Sequence, residues 1–405
     1  MLPQNYRGGS LRTSKNIAKS IFLGAQKNNF PVEVCFSYVK GGNYDVQNDF
    51  ADLLEMGITV RETEWKTISR DKVSSIISTA HLQKSVLTEP KYIMPTDGAS
   101  DFYDCDLWVI ISDRTTFPVF PIKKYLIVIY DYIQRYVPEI FETTEVWNIQ
   151  ERSYFITTRS ASGIFVTTPN TRDDMISYCG VNKDKIHLIN MDFTPLLNRV
   201  ENTQKTIQKP YFLWPTNTTQ HKNHKLTLQG LEKYFIKSDA LDCYIIGTNT
   251  HYFLSNQKNG GGNFLSKQSY ISQIREIINA SPILKTKIHI LGEVTDAVYM
   301  QMISNAVFLL HSCLYDNGTF CVLDAAYMGR PSLSAKYPAM EYMNQYFKLN
   351  LRFFNPHDPN TLAQQLQFMQ EEAKNIVLPS KRSFKKYSWQ ANADSLFKLI
   401  IPYLE

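Results

Sequence analysis

Asp316-Asn317-Gly318-Thr319-Phe320-Cys321-Val322-Leu323-Asp324 follows the apolar run 307–310 after an interval of five residues. This order predicts a buried strand, a glycine-containing turn and a helix that begins near Thr319. The backbone N–H groups at such a helix start lie where the helix dipole is positive, so they suit a phosphate. One acid lies before the predicted helix and the other in its second turn, and both can accept hydrogen bonds from sugar hydroxyls.

A second strand-to-helix junction lies about a hundred residues earlier. The strand-like segment 210–215 is followed by Gln220-His221-Lys222-Asn223-His224 and then by apolar residues at helical spacing, Leu228, Leu231 and Phe235. This pattern predicts a strand, a loop and a helix, with a lysine in the loop.

Together, these two segments resemble the retaining, nucleotide-sugar-dependent glycosyltransferases of family four. The first is similar to the family's E-x(7)-E region, with Asp in place of both Glu residues. The second is similar to the strand–loop–helix whose lysine grips the donor diphosphate. The His-Lys-Asn-His form of that loop is typical of the mannosyltransferase-like branch that builds bacterial surface polysaccharides. The resemblance covers most of residues 120–355, is weaker before residue 100, and implies the GT-B fold.

Composition narrows the class of protein. The chain has 405 residues, 43% hydrophobic and 20% charged, which indicates a folded globular protein of two or three domains. A net charge of +5 is too small for a dedicated nucleic-acid binder, but it suits an anionic donor or a visit to an anionic membrane surface. No signal peptide or membrane-spanning run is visible, so we expect a cytoplasmic protein that can act at the inner face of the membrane.

The cysteine and histidine pattern favours neither a disulfide framework nor a metal site. None of the six cysteines forms a C-x-x-C pair, so buried free thiols in a reducing compartment are expected. His221 and His224 lie three residues apart with no third ligand nearby in the sequence. We therefore expect no metal and no cofactor other than the nucleotide diphosphate sugar, which is the donor substrate.

The alternation of apolar runs with longer amphipathic stretches predicts an α/β fold with doubly wound parallel sheets. The strand-like runs are 32–36, 107–111, 125–130, 163–167, 243–246, 288–291 and 307–310. The pattern occurs twice, and the polar segment 201–209 is the predicted linker. We therefore expect a Rossmann-like acceptor-side domain over 1–205 and a donor-binding domain over 210–387. The resemblance implies that the two domains face each other across a cleft and that residues 388–405 cross back to the first.

The resemblance also implies a role for each matching residue of the donor domain. Lys222 would stabilise the leaving group, and Thr216 stands where many members carry an arginine that binds the donor. Asp316 would contact the sugar, and Asp324 the ribose hydroxyls. The other implied donor contacts are backbone amides at Asn317, Gly318, Thr319 and Phe320, the phosphate neighbour His224, and the base-packing residues Glu293 and Val294.

In the first domain, the matching residues are fewer. Gly8 and Gly9 are similar to the family's Gly-Gly turn, which lets the backbone approach the diphosphate. Residues 1–7 do not form the strand that normally precedes this turn. Asp131 resembles the aspartate of the family's His-Asp motif, with Tyr130 in place of the histidine, and is the third predicted catalytic residue.

The sequence therefore predicts a retaining transferase that moves a hexose from a nucleotide sugar to a hydroxyl of a growing glycan, free or lipid-linked, of O-antigen or capsule type. GDP-mannose is the first expected donor, and a UDP- or dTDP-sugar the second. A basic helical face at Arg12, Lys15 and Lys19 favours peripheral contact with an anionic membrane. The alternatives are a non-catalytic nucleotide- or glycan-binding protein, a nucleotide-sugar epimerase, and a scaffold subunit of an assembly complex.

Overall fold

The computed structural model describes residues 1–79, 87–140, 145–196, 207, 209–237, 239–254 and 265–404. The predicted linker 201–209 lies outside the described residues, apart from Ile207 and Lys209. The chain forms two compact units, which we call unit 1 (Met1–Asp192 with Lys386–Glu405) and unit 2 (Phe193–Lys385).

The described strands form three sheets, two in unit 1 and one in unit 2. Unit 1 contains a sheet of order β1-β2-β3 and a parallel sheet of order β4-β5-β6-β7, and unit 2 contains a parallel sheet of order β10-β9-β8-β11-β12-β13. The strands are β1 (Cys35–Val39), β2 (Thr59–Ser69), β3 (Lys91–Thr96), β4 (Trp108–Ile111), β5 (Tyr125–Ile129), β6 (Gly163–Val166), β7 (Ile186–Leu188), β8 (Tyr211–Pro215), β9 (Asp242–Ile246), β10 (Ile288–Gly292), β11 (Leu309–His311), β12 (Ser332–Ala335) and β13 (Arg352–Phe354).

The described helices alternate with these strands. They are α1 (Gly8–Lys27), α2 (Val46–Asp49), α3 (Ala51–Leu54), α4 (Arg70–Thr79), α5 (Ile133–Tyr136), α6 (Glu145–Ser160), α7 (Pro169–Ser177), α8 (His224–Phe235), α9 (Leu265–Ala280), α10 (Pro282–Lys287), α11 (Asp296–Asn305), α12 (Phe320–Tyr327), α13 (Pro338–Phe347), α14 (Pro359–Glu372) and α15 (Trp389–Leu404). Each predicted apolar run overlaps a strand, and most of the runs are largely buried. The run 32–36 buries only Phe36 and belongs to the mixed sheet of unit 1.

Unit 1 departs from a purely parallel arrangement. β2 pairs with β1 in parallel but with β3 in antiparallel register. The sequence did not indicate β2, because this strand of 11 residues buries only Thr63 and Ile68 and carries no apolar run. An antiparallel pair tolerates such a half-exposed strand, since only one of its faces needs the core.

Met1 and Leu2 pair with the sheets of unit 1, although the sequence predicts no strand at residues 1–7. The amide of Leu2 donates to Ser37 O in β1 at 3.0 Å, and the amide of Ile111 in β4 donates to Met1 O at 2.9 Å. Met1 and Leu2 thus join the two sheets of unit 1 by main-chain hydrogen bonds, as a very short strand would.

The terminal helix α15 packs along α1 within unit 1, and one glycine sets how closely the two approach. A Cβ on Gly24 would lie well inside van der Waals contact with Ala393 O and Phe397 Cβ of α15. We expect Gly24→Ala to lower the free energy of unfolding by about 1–3 kcal/mol, because overpacking outweighs the gain in helix propensity. Chemical denaturation measures the change. Gln26→Ala, an exposed substitution on the same helix, is the control; an equal or smaller loss at Gly24 would contradict the prediction.

The six-stranded parallel sheet of unit 2 positions the predicted donor residues. β8 and β11 are neighbours at its centre, so the loops that follow these two strands emerge side by side at the carboxyl edge. Ligands of doubly wound sheets bind at this edge, outside the carboxyl ends of the strands. The loop after β8 carries Lys222 and the loop after β11 carries Asp316.

Candidate functional site

A partly buried ion pair lies where these two loops meet. Lys222 Nζ donates to Asp316 Oδ2 at 2.6 Å, and each side chain is only 17% exposed. The backbone holds the loops together as well, because the Leu314 amide donates to His221 O and the Ser312 hydroxyl donates to Lys222 O. Residues 94 positions apart in the sequence are thereby fixed beside each other.

The two charges stabilise each other. Burial alone would lower the pKa of Lys222, but the Asp316 carboxylate outweighs burial and raises that pKa above its ordinary value. Burial would raise the pKa of Asp316, yet the Lys222 ammonium lowers it below its ordinary value. At neutral pH the pair is therefore fully ionised, and each group is costly to leave alone in its buried place.

The turn between Asp316 and α12 presents the start of the helix. Thr319 occupies the N-cap position, but its hydroxyl donates to Cys321 Sγ rather than capping an amide of the first turn, and that turn contains no acid. Gly318 has φ of +108°, a conformation that L side chains rarely adopt. The Asn317 amide donates to Asp316 Oδ1 at 2.8 Å. This turn and the first residue of α12, Phe320, thus form a positive helix end beside the Lys222 ammonium, which suits an anion.

Asp324 lies in the second turn of α12, as the sequence predicts, and it is 1% exposed. Its Oδ2 accepts a hydrogen bond from the Tyr299 hydroxyl of α11 at 3.2 Å. The shorter aspartate side chain, in place of glutamate, is therefore held by a tyrosine from the neighbouring helix.

His224 is a core residue in this structure. It is 1% exposed, its Nε2 lies 3.0 Å from Thr216 Oγ1, and its Nδ1 lies 2.9 Å from the Tyr270 hydroxyl. Burial lowers the pKa of His224 to about 3, so the ring is neutral at physiological pH. Both ring nitrogens are engaged, and His224 joins Thr216 after β8 to Tyr270 of α9.

Glu293 and Val294 follow β10, at the carboxyl end of the edge strand of the unit 2 sheet. Glu293 is exposed and Val294 is half-buried. Gly292 before them has φ of +77°, and Gly247 after β9 packs so closely on Thr216 O that a Cβ there would clash. The glycines shape the loops of this edge, and Glu293 and Val294 lie on the same edge as Lys222.

The predicted residues of unit 1 lie at two places. Gly8 and Gly9 are exposed at the amino end of α1, and Gly8 has φ of +55° with no atom within 4 Å of where a Cβ would stand. Asp131 follows β5 and accepts from Arg114 Nη2 at 3.4 Å, while Asp131 O accepts from the same nitrogen at 3.3 Å. Arg114 follows the adjacent parallel strand β4 and also donates to Gln134 Oε1 at 3.2 Å.

Asp192 forms a second polar group in unit 1. Burial raises its pKa to about 6 from 3.8, although the Asn16 amide donates to Asp192 Oδ2 at 2.5 Å and Arg12 lies near. A raised carboxyl pKa means that this group stabilises the fold below pH 3.8, and that the stability is lost as pH rises through about 6.

We therefore expect Asp192→Asn to gain stability over the wild type as pH rises. The difference in the free energy of unfolding should grow by roughly 1–2 kcal/mol between pH 5 and pH 8. Urea denaturation at the two pH values measures it. Asp173→Asn, at a carboxylate 64% exposed in the same unit, should show no such growth. An advantage of Asp192→Asn that is constant with pH would contradict the prediction.

One group of side chains in unit 2 has the composition of a metal site. His221, Cys313 and Asp316 each offer one potential ligand atom, and these atoms lie within 4.8 Å of one another. The sequence did not predict this grouping, because His221 is about ninety residues before the other two. The Lys222 ammonium already donates to Asp316, so a dication would have to compete with a fixed positive charge. The expectation that no metal takes part stays a prediction.

The basic face of α1 is largely paired. Lys15 Nζ lies 2.6 Å from Asp52 Oδ1, and Lys19 pairs with Asp52 Oδ2. This face therefore offers less positive charge to a membrane than the sequence indicates. Among the described residues, no helix is both long enough and apolar enough to traverse a bilayer.

Several residues of the two sheet edges escaped the sequence analysis. Arg114 and Asp113 could have been found, because they directly follow a predicted strand, which is where ligand-binding side chains of parallel sheets lie. His311 could have been found in the same way, because it directly follows the predicted run 307–310. Tyr299 gave no such signal, since a tyrosine inside a helix usually serves packing.

No protein-family model matches the sequence, and no curated protein matches it. Solved structures do match. HepE of Anabaena in complex with UDP and glucose aligns over 100% of this chain and 98% of that chain, with a TM-score of 0.62 and 13% identity. A glycosyltransferase from Rickettsia africae aligns over 98% and 96%, with a TM-score of 0.59 and 11% identity. Sucrose-phosphate synthase from Thermosynechococcus elongatus aligns over 92% and 99%, with a TM-score of 0.55 and 13% identity.

These likenesses confirm the predicted fold class. The chain has the GT-B fold, with mixed α/β architecture and two Rossmann-like domains. At 11–13% identity they bear on the fold and not on the substrate.

Proposed function

We propose that the chain is a glycosyltransferase that moves a hexose from a nucleoside diphosphate sugar to a hydroxyl of a growing glycan, with retention of anomeric configuration. The observation that carries the proposal is the Lys222–Asp316 pair at the amino end of α12, where two adjacent parallel strands end. A cation beside an uncapped helix start suits a diphosphate, and a carboxylate beside it suits a sugar. Solved structures of this fold that hold UDP or UDP-glucose support the proposal.

The residues of unit 2 divide the work as follows. Lys222 would turn from Asp316 to the donor phosphates and neutralise the charge that develops on the leaving group. The amides of residues 317–320 would hold the same phosphates at the helix start. Once Lys222 has turned to the phosphates, Asp316 would accept a hydrogen bond from a hydroxyl of the sugar. Its charge would stabilise positive charge at the anomeric carbon. Asp324 would accept hydrogen bonds from the ribose hydroxyls, and Glu293 and Val294 would pack against the nucleotide base.

The roles in unit 1 are also proposals. Gly8 and Gly9 would admit the diphosphate close to the backbone, and Asp131 would contact the acceptor. Arg114 would orient Asp131, because it donates to both the carboxylate and the main-chain oxygen. The departing phosphate would help to take the acceptor proton, so no strong base is required.

UDP is the first nucleotide to test, since the Anabaena HepE structures hold UDP. GDP-mannose remains in the panel because of the resemblance to the mannosyltransferase-like branch. The same resemblance supports a bacterial surface polysaccharide, of O-antigen or capsule type, as the product. The acceptor would then be lipid-linked, and the enzyme would act at the inner face of the membrane.

A thermal-shift screen with UDP, GDP, dTDP and ADP, each alone and as its sugar conjugate, tests the proposal. A ligand far above its Kd raises the melting temperature by mass action. We expect one nucleotide to stabilise the wild type and to stabilise Lys222→Ala much less. Lys225→Ala, three residues away on α8, is the control and should respond like the wild type. No response of the wild type to any nucleotide would overturn the proposal.

One observation favours a second candidate, a GT-B protein that binds a nucleotide or glycan without turnover. Arg114 neutralises Asp131, and Tyr130 stands where the family carries a histidine. Tight nucleotide binding with no release of nucleoside diphosphate from any sugar donor would favour this candidate. Release without any acceptor, or formation of an epimer, would favour an epimerase instead.

A further inference from the structure

Among the buried polar atoms of unit 2 without a hydrogen-bond partner in the described residues, two belong to neighbouring aromatic rings. They are Nε2 of His311, the last residue of β11, and the hydroxyl of Tyr337, which precedes α13. Both residues are 4% exposed, and their ring centroids lie 6.1 Å apart. Buried polar groups of native proteins are normally paired, so a neighbouring pair of unpaired ones points to an occupant that the protein itself does not supply.

The hydrogen bonds of Ser334 fix which nitrogen of His311 carries the proton. Ser334 Oγ donates its single hydrogen to Ala335 O at 3.1 Å. His311 Nδ1 lies 3.1 Å from the same Oγ, and this network assigns Nδ1 as the donor of that contact. A second proton would place a charge without a hydrogen-bond partner in a side chain that is only 4% exposed, so the ring is neutral. Nε2 is therefore a bare acceptor.

The chemistry of the two atoms selects the kind of group that can satisfy them. Tyr337 keeps its phenolic proton because burial raises its pKa well above the ordinary value. A hydroxyl group can donate to His311 Nε2 and accept from Tyr337 Oη–H at the same time. A phosphate oxygen at neutral pH accepts only, so it cannot satisfy Nε2. The pair fits a hydroxyl and not an anion.

The two atoms lie beside the proposed donor site. The charges of both Lys222 and Asp316 act on the His311 ring. The Tyr337 ring packs against Tyr315, the residue before Asp316, with centroids 5.5 Å apart. Two residues that suit a hydroxyl thus lie next to the cation and helix end that suit phosphates. A sugar diphosphate likewise carries sugar hydroxyls next to its phosphates.

We propose that His311 and Tyr337 are positioning residues that hold one hydroxyl of the transferred sugar and thereby select the donor. The inference rests on the proposed function. A water molecule that stays in place throughout the reaction is the competing occupant, and the experiment below is designed to separate the two.

Tyr337→Phe removes one hydroxyl and keeps the ring, so it tests the proposal with little change in packing. Calorimetric titration of the full chain with UDP and UDP-glucose, and with GDP and GDP-mannose, gives the affinity for the nucleotide with and without the sugar. We expect the variant to bind the nucleoside diphosphate within about twofold of the wild type and to bind its sugar conjugate about 10-fold more weakly, the effect of one lost hydrogen bond. Tyr342→Phe, five residues further along in α13, is the matched control and should change neither affinity.

A second readout separates a sugar contact from a structural one. The wild type should prefer the parent sugar nucleotide over one of its monodeoxy analogues by about 10-fold or more, and Tyr337→Phe should abolish that preference. The position of the missing hydroxyl then identifies the one that is held. An unchanged preference, or equal weakening of nucleotide and conjugate, would show a buried water or a structural role and overturn the inference. Failure of the wild type to bind any of the four ligands would instead overturn the proposed function.

Discussion

Replacement of Lys222 by methionine is expected to lower kcat for sugar transfer by roughly 10²- to 10³-fold. The ammonium is held beside the amino end of α12 by Asp316 at 2.6 Å, so only a turn of its side chain is needed for it to reach the donor phosphates. Loss of such a preorganised charge acts on the transition state, where the leaving diphosphate gains negative charge. Release of nucleoside diphosphate, measured under saturating donor, reports the change.

The same substitution leaves the buried Asp316 carboxylate without its partner, which should cost about 3–5 kcal/mol of stability. The double variant Lys222→Met with Asp316→Asn removes both charges and should recover most of that stability while remaining inactive. This control separates loss of catalysis from loss of fold. Turnover of Lys222→Met within tenfold of the wild type would contradict the assigned role.

Asp316→Asn is expected to lower kcat by roughly 10²-fold. Asparagine keeps the shape of the side chain but removes the charge that would face the anomeric carbon. Asp316→Glu keeps the charge and introduces the residue found at this place in the family-four glycosyltransferases that the sequence resembles, so it should retain kcat within about tenfold. A wild-type kcat in Asp316→Asn would exclude Asp316 from the reaction.

The pH dependence of stability gives an independent check on the pair. The lowered pKa of Asp316 contributes stability that is present above the ordinary aspartate range and is lost as pH falls through the folded-state pKa. Asp316→Asn should therefore be less stable than the wild type at pH 7, and the difference should shrink as pH falls below about 4. A difference that is constant down to acid pH would mean that the ion pair does not stabilise the fold.

The sequence predicted the unit 2 edge well because its geometry follows from local rules. The apolar run 307–310, Gly318 and the helical spacing after Thr319 specify a strand, a turn and a helix, and α12 begins at Phe320. The order of parallel strands then brings the loop after β8 beside the loop after β11. Lys222 and Asp316 meet as a consequence of topology, which a sequence pattern can anticipate.

Other features depend on packing that no local pattern carries. His224 looked like a phosphate neighbour by its position beside Lys222, but its ring lies in the core between Thr216 and Tyr270. The hydroxyl selectivity inferred for His311 in β11 depends on which acceptor the Ser334 hydroxyl of the neighbouring strand β12 donates to. Such contacts join residues distant in the sequence, so they appear only when the fold is known.

The most direct test of the proposed site is a crystal structure of the full chain with the nucleoside diphosphate that stabilises it most. We predict that the phosphates lie against the amides at residues 317–320. Lys222 Nζ should lie within hydrogen-bond distance of a phosphate oxygen and no longer be bound to Asp316 alone. A nucleotide bound elsewhere, with the Lys222–Asp316 pair unchanged at the empty helix end, would contradict the account.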